Sequence, residues 1–389
     1  MSRVRLLSVL LVLGAATAAL AGNSFGESHG AASTKAVDLG AELKGLVAMP
    51  GGPPGAIAIV QRGGSTSVYR AGVSNIRSGA PLDAGQRMRI ASVSKAFSAA
   101  VALALVDRRV LALSDTIGKW LPDLPKKWRH ITLAELLQHT SGLPDFSESK
   151  GFPDYLMHDD NLHSTPPPRF LLTFVENEKL RFTPGARYQY SNTDNIVVGL
   201  MAEAASDRKY NSLLSSLVYL PLHMQQTSLP TGPEISSPFM HGYTLDPPRE
   251  PTDVTTFASA ALSWASGGIV STPDDLNRFV RGYVGARLFG RKVQSRQLQF
   301  VRGSSGPPGP GENFAGLGIF RYRTRCGSIY GHTGNIPGWT QFIASTLDGK
   351  RSVVVSVNGQ INEQSKQPML DAWRRLRQIE EDAVCAALS

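Results

Sequence analysis

The sequence predicts an α/β protein of the α+β type: an antiparallel sheet built from both chain ends and flanked by helices, with a large, mostly helical region inserted between them. Three observations carry this. Alternating apolar segments bounded by turn residues lie near both ends, at 56–73 and 317–358, which is the pattern of strands. Between them, over 94–260, apolar residues run in helical blocks separated by long loops. The chain has 389 residues, 42% hydrophobic and 18% charged, enough for a large core and unlike a disordered, collagenous or coiled-coil composition.

The chain opens with Met1-Ser-Arg-Val-Arg5 and an uncharged run from Leu6 to Ala21 that ends in Ala19-Leu20-Ala21. A basic start, an apolar core and an A-x-A site predict a signal peptide over 1–21, cleaved after Ala21. The run is short for a membrane span, so a secreted, extracytoplasmic protein with no stable membrane span after cleavage is expected. Residues 22–35 are small and polar and read as a flexible lead. The folded domain then spans 36–389, with 94–260 as its helical insert. Net charge is +9, but Lys and Arg are scattered, so no nucleic-acid footprint emerges; a monomer is expected.

Val37, Leu39, Leu43, Leu46 and Val47 suit an amphipathic helix that Pro50-Gly-Gly-Pro-Pro-Gly55 stops. Ala56 to Val60 and Ser67 to Val73 read as strands around Gly63-Gly64. From Ala96 to Val106 there is no charge, Gly or Pro, so a helix there belongs inside the domain. Thr132 and Glu135 form a capping box for a short helix. Asn195 to Ala205 is another mostly buried helix. Pro273 sits at the first turn of a further one. Leu317 to Arg323, Ser328 to Thr333, Thr340 to Leu347 and Arg351 to Asn358 read as strands, and Pro368 to about Ala387 as the closing helix. The two cysteines, in an exported chain, predict one bridge, Cys326–Cys385, tying that helix to the strand before the third motif below. His158-Asp-Asp160 has no metal-ligand spacing and reads as a solvated loop; no cofactor or metal is expected.

Three short motifs carry chemistry. Ser92 and Lys95 are three apart and share one helical face. Burial lowers a lysine's pKa until it can take the proton of a neighbouring hydroxyl, and the helix start offers free N–H groups to an oxyanion. Tyr190 and Asn192 alternate in an extended or turning segment, so both can reach one pocket; nearby cations such as Lys95 are what would lower the phenol's pKa. Tyr330-Gly-His-Thr-Gly-Asn335 ends a strand, where small residues such as Gly334 leave room for a substrate backbone to add on as an extra strand. His332 and Thr333 bring a ring and a hydroxyl to that edge, and the histidine predicts a rate change near pH ~6.5. Each motif alone also fits a bland reading: a helix start, a packed tyrosine, a glycine turn.

Together, S-x-x-K, then Y-x-N, then H-T-G match the pattern of penicillin-interacting enzymes, with Tyr and His variants in the second and third motifs. With Leu137-Gln-His-Thr-Ser-Gly-Leu143, Phe182-x-Pro-Gly-x-x-Tyr-x-Tyr-Ser-Asn192 and Gly267-Gly-Ile-Val-Ser-Thr-x-x-Asp-Leu276, the chain resembles the serine β-lactamase and DD-peptidase superfamily in its class C-like branch. It looks most like the soluble exported D-alanyl-D-alanine carboxypeptidases. The resemblance implies the β-lactamase/transpeptidase-like fold and an acyl-enzyme on Ser92. Lys95 and Tyr190 would move its proton, and Asn192 would hold Lys95 and the substrate amide. The oxyanion would sit between the backbone N–H groups of Ser92 and Asn335. His332 would replace the lysine of many relatives, Thr333 would bind the substrate carboxylate, and Trp264 would line the cleft. Peptidoglycan stem peptides, other acyl substrates and β-lactams are the implied partners. Such carboxypeptidases also hold the carboxylate with an arginine; counting back from Cys326 that place falls on Phe320, and only a bulge would bring Arg321 there. A class C-like β-lactamase, an esterase, a D-aminopeptidase and an inactive penicillin-binding module are the alternatives.

Overall fold

The computed structural model describes residues 38–389; the expected signal peptide and flexible lead fall outside the described residues. Nine strands form one sheet: β1 Gly55–Arg62, β2 Ser65–Asn75, β3 Ala80–Pro81, β4 Val301–Arg302, β5 Glu312–Ala315, β6 Phe320–Thr324, β7 Gly327–Ile336, β8 Trp339–Ser345 and β9 Arg351–Val357. Their spatial order is β3-β2-β1-β9-β8-β7-β6-β5-β4, with every pairing antiparallel. The two ends of the chain therefore meet at β1 and β9, where Ile59 lies opposite Val354.

The five longest described helices are α1 Leu39–Ala48, α2 Ser94–Asp107, α3 Asn192–Ser206, α4 Pro273–Val284 and α5 Met369–Leu388. Strand periodicity decides which helix each face meets. On β1, Ala56, Ala58 and Val60 join Leu43 of α1 and Leu376 and Ile379 of α5 in one buried cluster. Ile57 and Ile59 face the other way, into the cluster that holds α2, α3 and α4. A strand buried on both faces reads as a continuous apolar run, as Ala56 to Val60 does. Helix α2 is buried from Ser94 to Leu105, and Phe97 stacks on Phe279 of α4 with ring centroids 3.7 Å apart.

The capping box at Thr132 and Glu135 is formed, and Pro273 stands at the first turn of α4 behind a Thr272 cap. Cys326 and Cys385 are bridged, with Cα atoms 5.2 Å apart, so α5 is pinned to the turn between β6 and β7. The sheet is wider than the sequence pattern predicts. Strands β4 and β5 flank a glycine- and proline-rich loop at 303–311 that hides their alternation. Within the stretch expected to be helical, Tyr243–Asp246 pairs with Arg249–Asp253 as a hairpin whose second strand is mostly exposed, so no apolar period marks it.

Candidate active site

Ser92 lies in a tight turn, Ala91–Val93, that runs directly into α2. Ala91 has φ of 51°, a left-handed conformation that costs a non-glycine residue about 1–2 kcal/mol and that functional sites often retain. One turn on, Lys95 Nζ donates to Ser92 Oγ at 3.0 Å, Asn192 Oδ1 at 2.6 Å and the Ser266 carbonyl at 2.8 Å. All three ammonium donors are thus occupied. Lys95 is fully buried, and that desolvation pushes its pKa down to about 7, against the opposing pull of Asp145 and Asp194.

Asn192 begins α3 and is clamped in turn. Its backbone N–H and its Nδ2 both donate to Asp145 Oδ2 at 2.9 Å, and Nδ2 also donates to Ser147 Oγ at 3.0 Å. The side chain holds Lys95, but its amide hydrogens are spent on the protein rather than left for a substrate. Tyr190 places its ring 4.9 Å from Lys95 Nζ and 4.6 Å from the ring of His139. Its hydroxyl is buried without a hydrogen-bond partner among the described residues. Burial pushes the phenol's pKa up. The expected lowering by Lys95 is therefore corrected: desolvation dominates. Beneath the tyrosine, His139 Nδ1 lies 2.8 Å from Asp194 Oδ2, and Ser141 Oγ donates to Asp194 Oδ1 at 2.5 Å. Burial disfavours both charges, pushing His139 down to about 3 and Asp194 up.

Strand β7 supplies the third motif. It pairs with β8 up to Ile336 but with β6 only as far as Gly331, so its outer edge from His332 to Ile336 has no strand partner. Gly334 is required by close approach: a Cβ there would lie 2.4 Å from the Ile90 carbonyl oxygen, next to the nucleophile's turn. The Asn335 side chain is tied to Thr340, Gln360, Ile361 and Asn362, leaving its backbone to face the site. His332 is buried, its Nδ1–H donates to the Thr333 carbonyl at 2.6 Å, and its ring meets Phe320 edge-on at 5.0 Å. Burial drives its pKa down to about 3, so the rate change expected of this histidine near pH ~6.5 is withdrawn. The Thr333 hydroxyl contacts Ser305 Oγ at 2.7 Å and donates to the Pro307 carbonyl at 2.6 Å. The 303–311 loop thus occupies the hydroxyl expected to hold a carboxylate.

Phe320 packs in the buried cluster under α1 and α5. Arg321 projects to the other face, with its guanidinium 4.4 Å and 4.9 Å from the ring centroids of Phe314 and Phe300. Neither stands at an open carboxylate site. Trp264 does not line the cavity beside Ser92. It packs against Tyr210 at 4.9 Å and over Gly199 of α3, where a Cβ would be 2.7 Å from the indole. Its neighbours Ser263 and Ser266 line that cavity instead, together with Ser92, Asn192 and Asn335. Sequence reasoning missed Asp145, the Ser266 carbonyl and the His139–Asp194 pair. Asp145 carried one local signal, an Asp-x-Ser turn in which Oδ1 accepts from the Ser147 N–H and Oγ.

A wide antiparallel sheet under a helical layer, with a serine and a buried lysine at the junction, defines the serine β-lactamase and transpeptidase fold, whose members are serine hydrolases. Within it, the chain belongs to the Beta-lactamase family, whose model matches residues 44–378. It is similar to Penicillin-binding protein 4* of Bacillus subtilis, 23% identical over 75% of this chain and 65% of that one. It is similar also to the D-alanyl-D-alanine-carboxypeptidase/endopeptidase AmpH of Escherichia coli, 27% identical over 54% of this chain and 52% of that one. The chain thus spans half to two-thirds of these curated relatives. Among solved structures, a D-stereospecific amidohydrolase from Streptomyces superposes with a TM-score of 0.73 and 27% identity, covering 87% of this chain and 98% of that one.

Proposed function

We propose that the protein is an exported serine hydrolase that cleaves amide bonds through an acyl-enzyme on Ser92, with D-aminoacyl amides and peptides carrying small, uncharged leaving groups as its substrates. The observation that carries the chemistry is Lys95, buried, 3.0 Å from Ser92 Oγ and held at about 7. An amine near neutrality takes the Ser92 proton as Oγ bonds to the substrate carbonyl carbon. The backbone N–H groups of Ser92 and Asn335 receive the oxyanion. The upward-shifted Tyr190 keeps its proton, which suits it to pass one to the departing nitrogen; Lys95 then restores the phenol's proton. Water attacks the acyl carbon as Lys95 takes its proton, Lys95 returns that proton to Ser92 Oγ as the ester bond breaks, and the acid leaves.

Two observations favour the uncharged leaving group. The Thr333 hydroxyl is engaged by the 303–311 loop, and Arg321 is stacked between two phenylalanines. A similarity that covers 98% of a D-stereospecific amidohydrolase agrees. D-alanyl-D-alanine carboxypeptidase activity on peptidoglycan peptides is the second reading, favoured by the similarity to AmpH.

The test is a side-by-side assay of D-alanine amide, a D-Ala-D-Ala peptide and a chromogenic cephalosporin, with Ser92→Ala as control. A charge-assisted hydrogen bond to the carboxylate is worth about 1.5–3 kcal/mol, or roughly 10- to 150-fold in rate. The amide should therefore exceed the dipeptide in kcat/KM, and Ser92→Ala should abolish both turnover and labelling by penicillin. A dipeptide rate above the amide rate would return the assignment to the carboxypeptidase, and labelling that survives Ser92→Ala would remove the acyl-enzyme.

A further inference from the structure

His139 and Asp194 are buried beneath the reacting groups, bond to neither Ser92 nor Lys95, and have no part in the chemistry above. His139 follows the short helix Leu133–Leu137 with φ of 56°, a left-handed conformation that disfavours any residue with a Cβ. The chain there makes the paired bonds of a glycine-type helix end, from the Thr140 N–H to the Glu135 carbonyl at 2.9 Å and from the His139 N–H to the Leu136 carbonyl at 3.3 Å. Glycine is the usual occupant of that position. A histidine kept there against the backbone's preference points to a task for its ring.

That task is Tyr190. The Gln189 N–H donates to the His139 carbonyl at 2.8 Å and the Ser191 N–H to His139 Nδ1 at 3.4 Å. The residues on both sides of the tyrosine are thus bonded to one histidine, whose ring lies 4.6 Å from the phenol ring. The Tyr190 hydroxyl has no hydrogen-bond partner among the described residues, which leaves this clamp and the packing around it to set where the phenol stands. The same bonds fix the tautomer. Nδ1 accepts from Ser191, so it carries no proton, and Asp194 Oδ2, 2.8 Å away, bonds to it as a donor. Asp194 is then a carboxylic acid whose Oδ1 accepts from Ser141, and Nε2 carries the imidazole hydrogen. The surroundings agree. Burial and Asp145 push the Asp194 carboxyl up against the pull of Ser141 and Lys95, and burial with Lys95 keeps His139 neutral against the pull of Asp145. Tyr188, Tyr190 and His332 around the pair are neutral as well.

We propose that His139 and Asp194 are a positioning pair, a neutral imidazole and a protonated carboxyl joined by one proton between Nδ1 and Oδ2, that holds the Tyr190 phenol in place beside Lys95. The positioning role rests on the acyl-enzyme reading of Ser92; the protonation state does not. With Asp194 uncharged, Asp145 is the carboxylate left to hold the Lys95 amine up.

Infrared spectroscopy reads the proton. The difference between wild type and Asp194→Asn at neutral pH should contain the carbonyl stretch of a protonated carboxyl, and a carboxylate band in its place overturns the pair. Kinetics read the position. Asp194→Ala leaves Nδ1 without its donor and should lower the saturating rate of acylation by labelled penicillin on the order of 100-fold, with the half-saturating concentration within about threefold of wild type. Asp194→Asn offers an amide N–H in the acid's place and should recover at least about tenfold of that loss. Its rate midpoint should stay near 7, because no charge has been removed from beside Lys95. An Asp194→Ala rate within about threefold of wild type, or a midpoint moved down in Asp194→Asn, overturns the proposal. His139→Asn accepts the left-handed backbone but removes the ring, and the same fall of about 100-fold is expected of it, so the position is tested even where Asp194→Ala does not fold. A wild type that penicillin does not label at Ser92 removes the acyl-enzyme and the role resting on it, while the infrared difference still decides the proton.

Discussion

Replacing Lys95 with methionine should uncouple the fold from alkaline pH. The amine drops from its ordinary 10.5 to about 7 because burial disfavours the ammonium, which at 1.36 kcal/mol per pH unit is about 5 kcal/mol. The sign follows from proton counts. Between pH 7 and 10.5 the unfolded chain carries the Lys95 proton and the folded one does not, so stability rises with pH across that window and is flat below it. From about pH 7 to about pH 9.5 the wild type should gain roughly 3 kcal/mol from this residue. Lys95→Met keeps much of the volume but strands Asn192 Oδ1 and the Ser266 carbonyl, a cost of about 1–3 kcal/mol each that does not vary with pH. The pH-dependent part is therefore separable from the offset. Urea denaturation of both proteins at three pH values reads it, and in parallel the wild-type kcat/KM should climb with pH through a midpoint near 7. Parallel stability curves for the two proteins, or an activity midpoint at about 9 or above, would refute the argument.

Other expectations follow from the same geometry. Asp145→Asn removes the largest influence holding the Lys95 pKa up, so the activity midpoint should move to lower pH, as a pH–rate profile would show. Gly334→Ala puts a methyl 2.4 Å from the Ile90 carbonyl oxygen, and the shift of β7 against the Ser92 turn should lower kcat by on the order of 100-fold with the fold retained by circular dichroism. Cys326→Ser with Cys385→Ser opens a loop of sequence separation 59 and should cost roughly 4 kcal/mol in denaturant unfolding. His332→Gln should leave the activity midpoint near 7 in place, because a ring already neutral from about 3 upward contributes no titration there.

The parts of the site that were legible were those fixed by local geometry. A spacing of three in a breaker-free run puts Ser92 and Lys95 on one helical face whatever surrounds them. Alternation sets which residues of β1 meet which layer. What the residue letters lacked was burial. Tyr190 and His332 each carry an ordinary pKa in isolation, and only the packing around them moves the first up and the second down. The role of Thr333 was equally hidden, since the 303–311 loop that captures its hydroxyl has no periodicity to announce where it folds. Trp264 was misread for a related reason: its direction is set by Gly199 on another helix. The cavity beside Ser92 is assembled from stretches as far apart in the chain as Arg89 and Pro337, and no single stretch betrays it.

The outer margin of β7, which has no strand partner from His332 to Ile336, has a consequence for how such a protein changes over time. Main-chain groups read any extended ligand alike, so that margin needs no revision when the diet changes. Novelty can be confined to the surrounding loops, such as the proline-rich flap at 303–311, while the serine, its amine and the strand proposed to carry the ligand stay as they are.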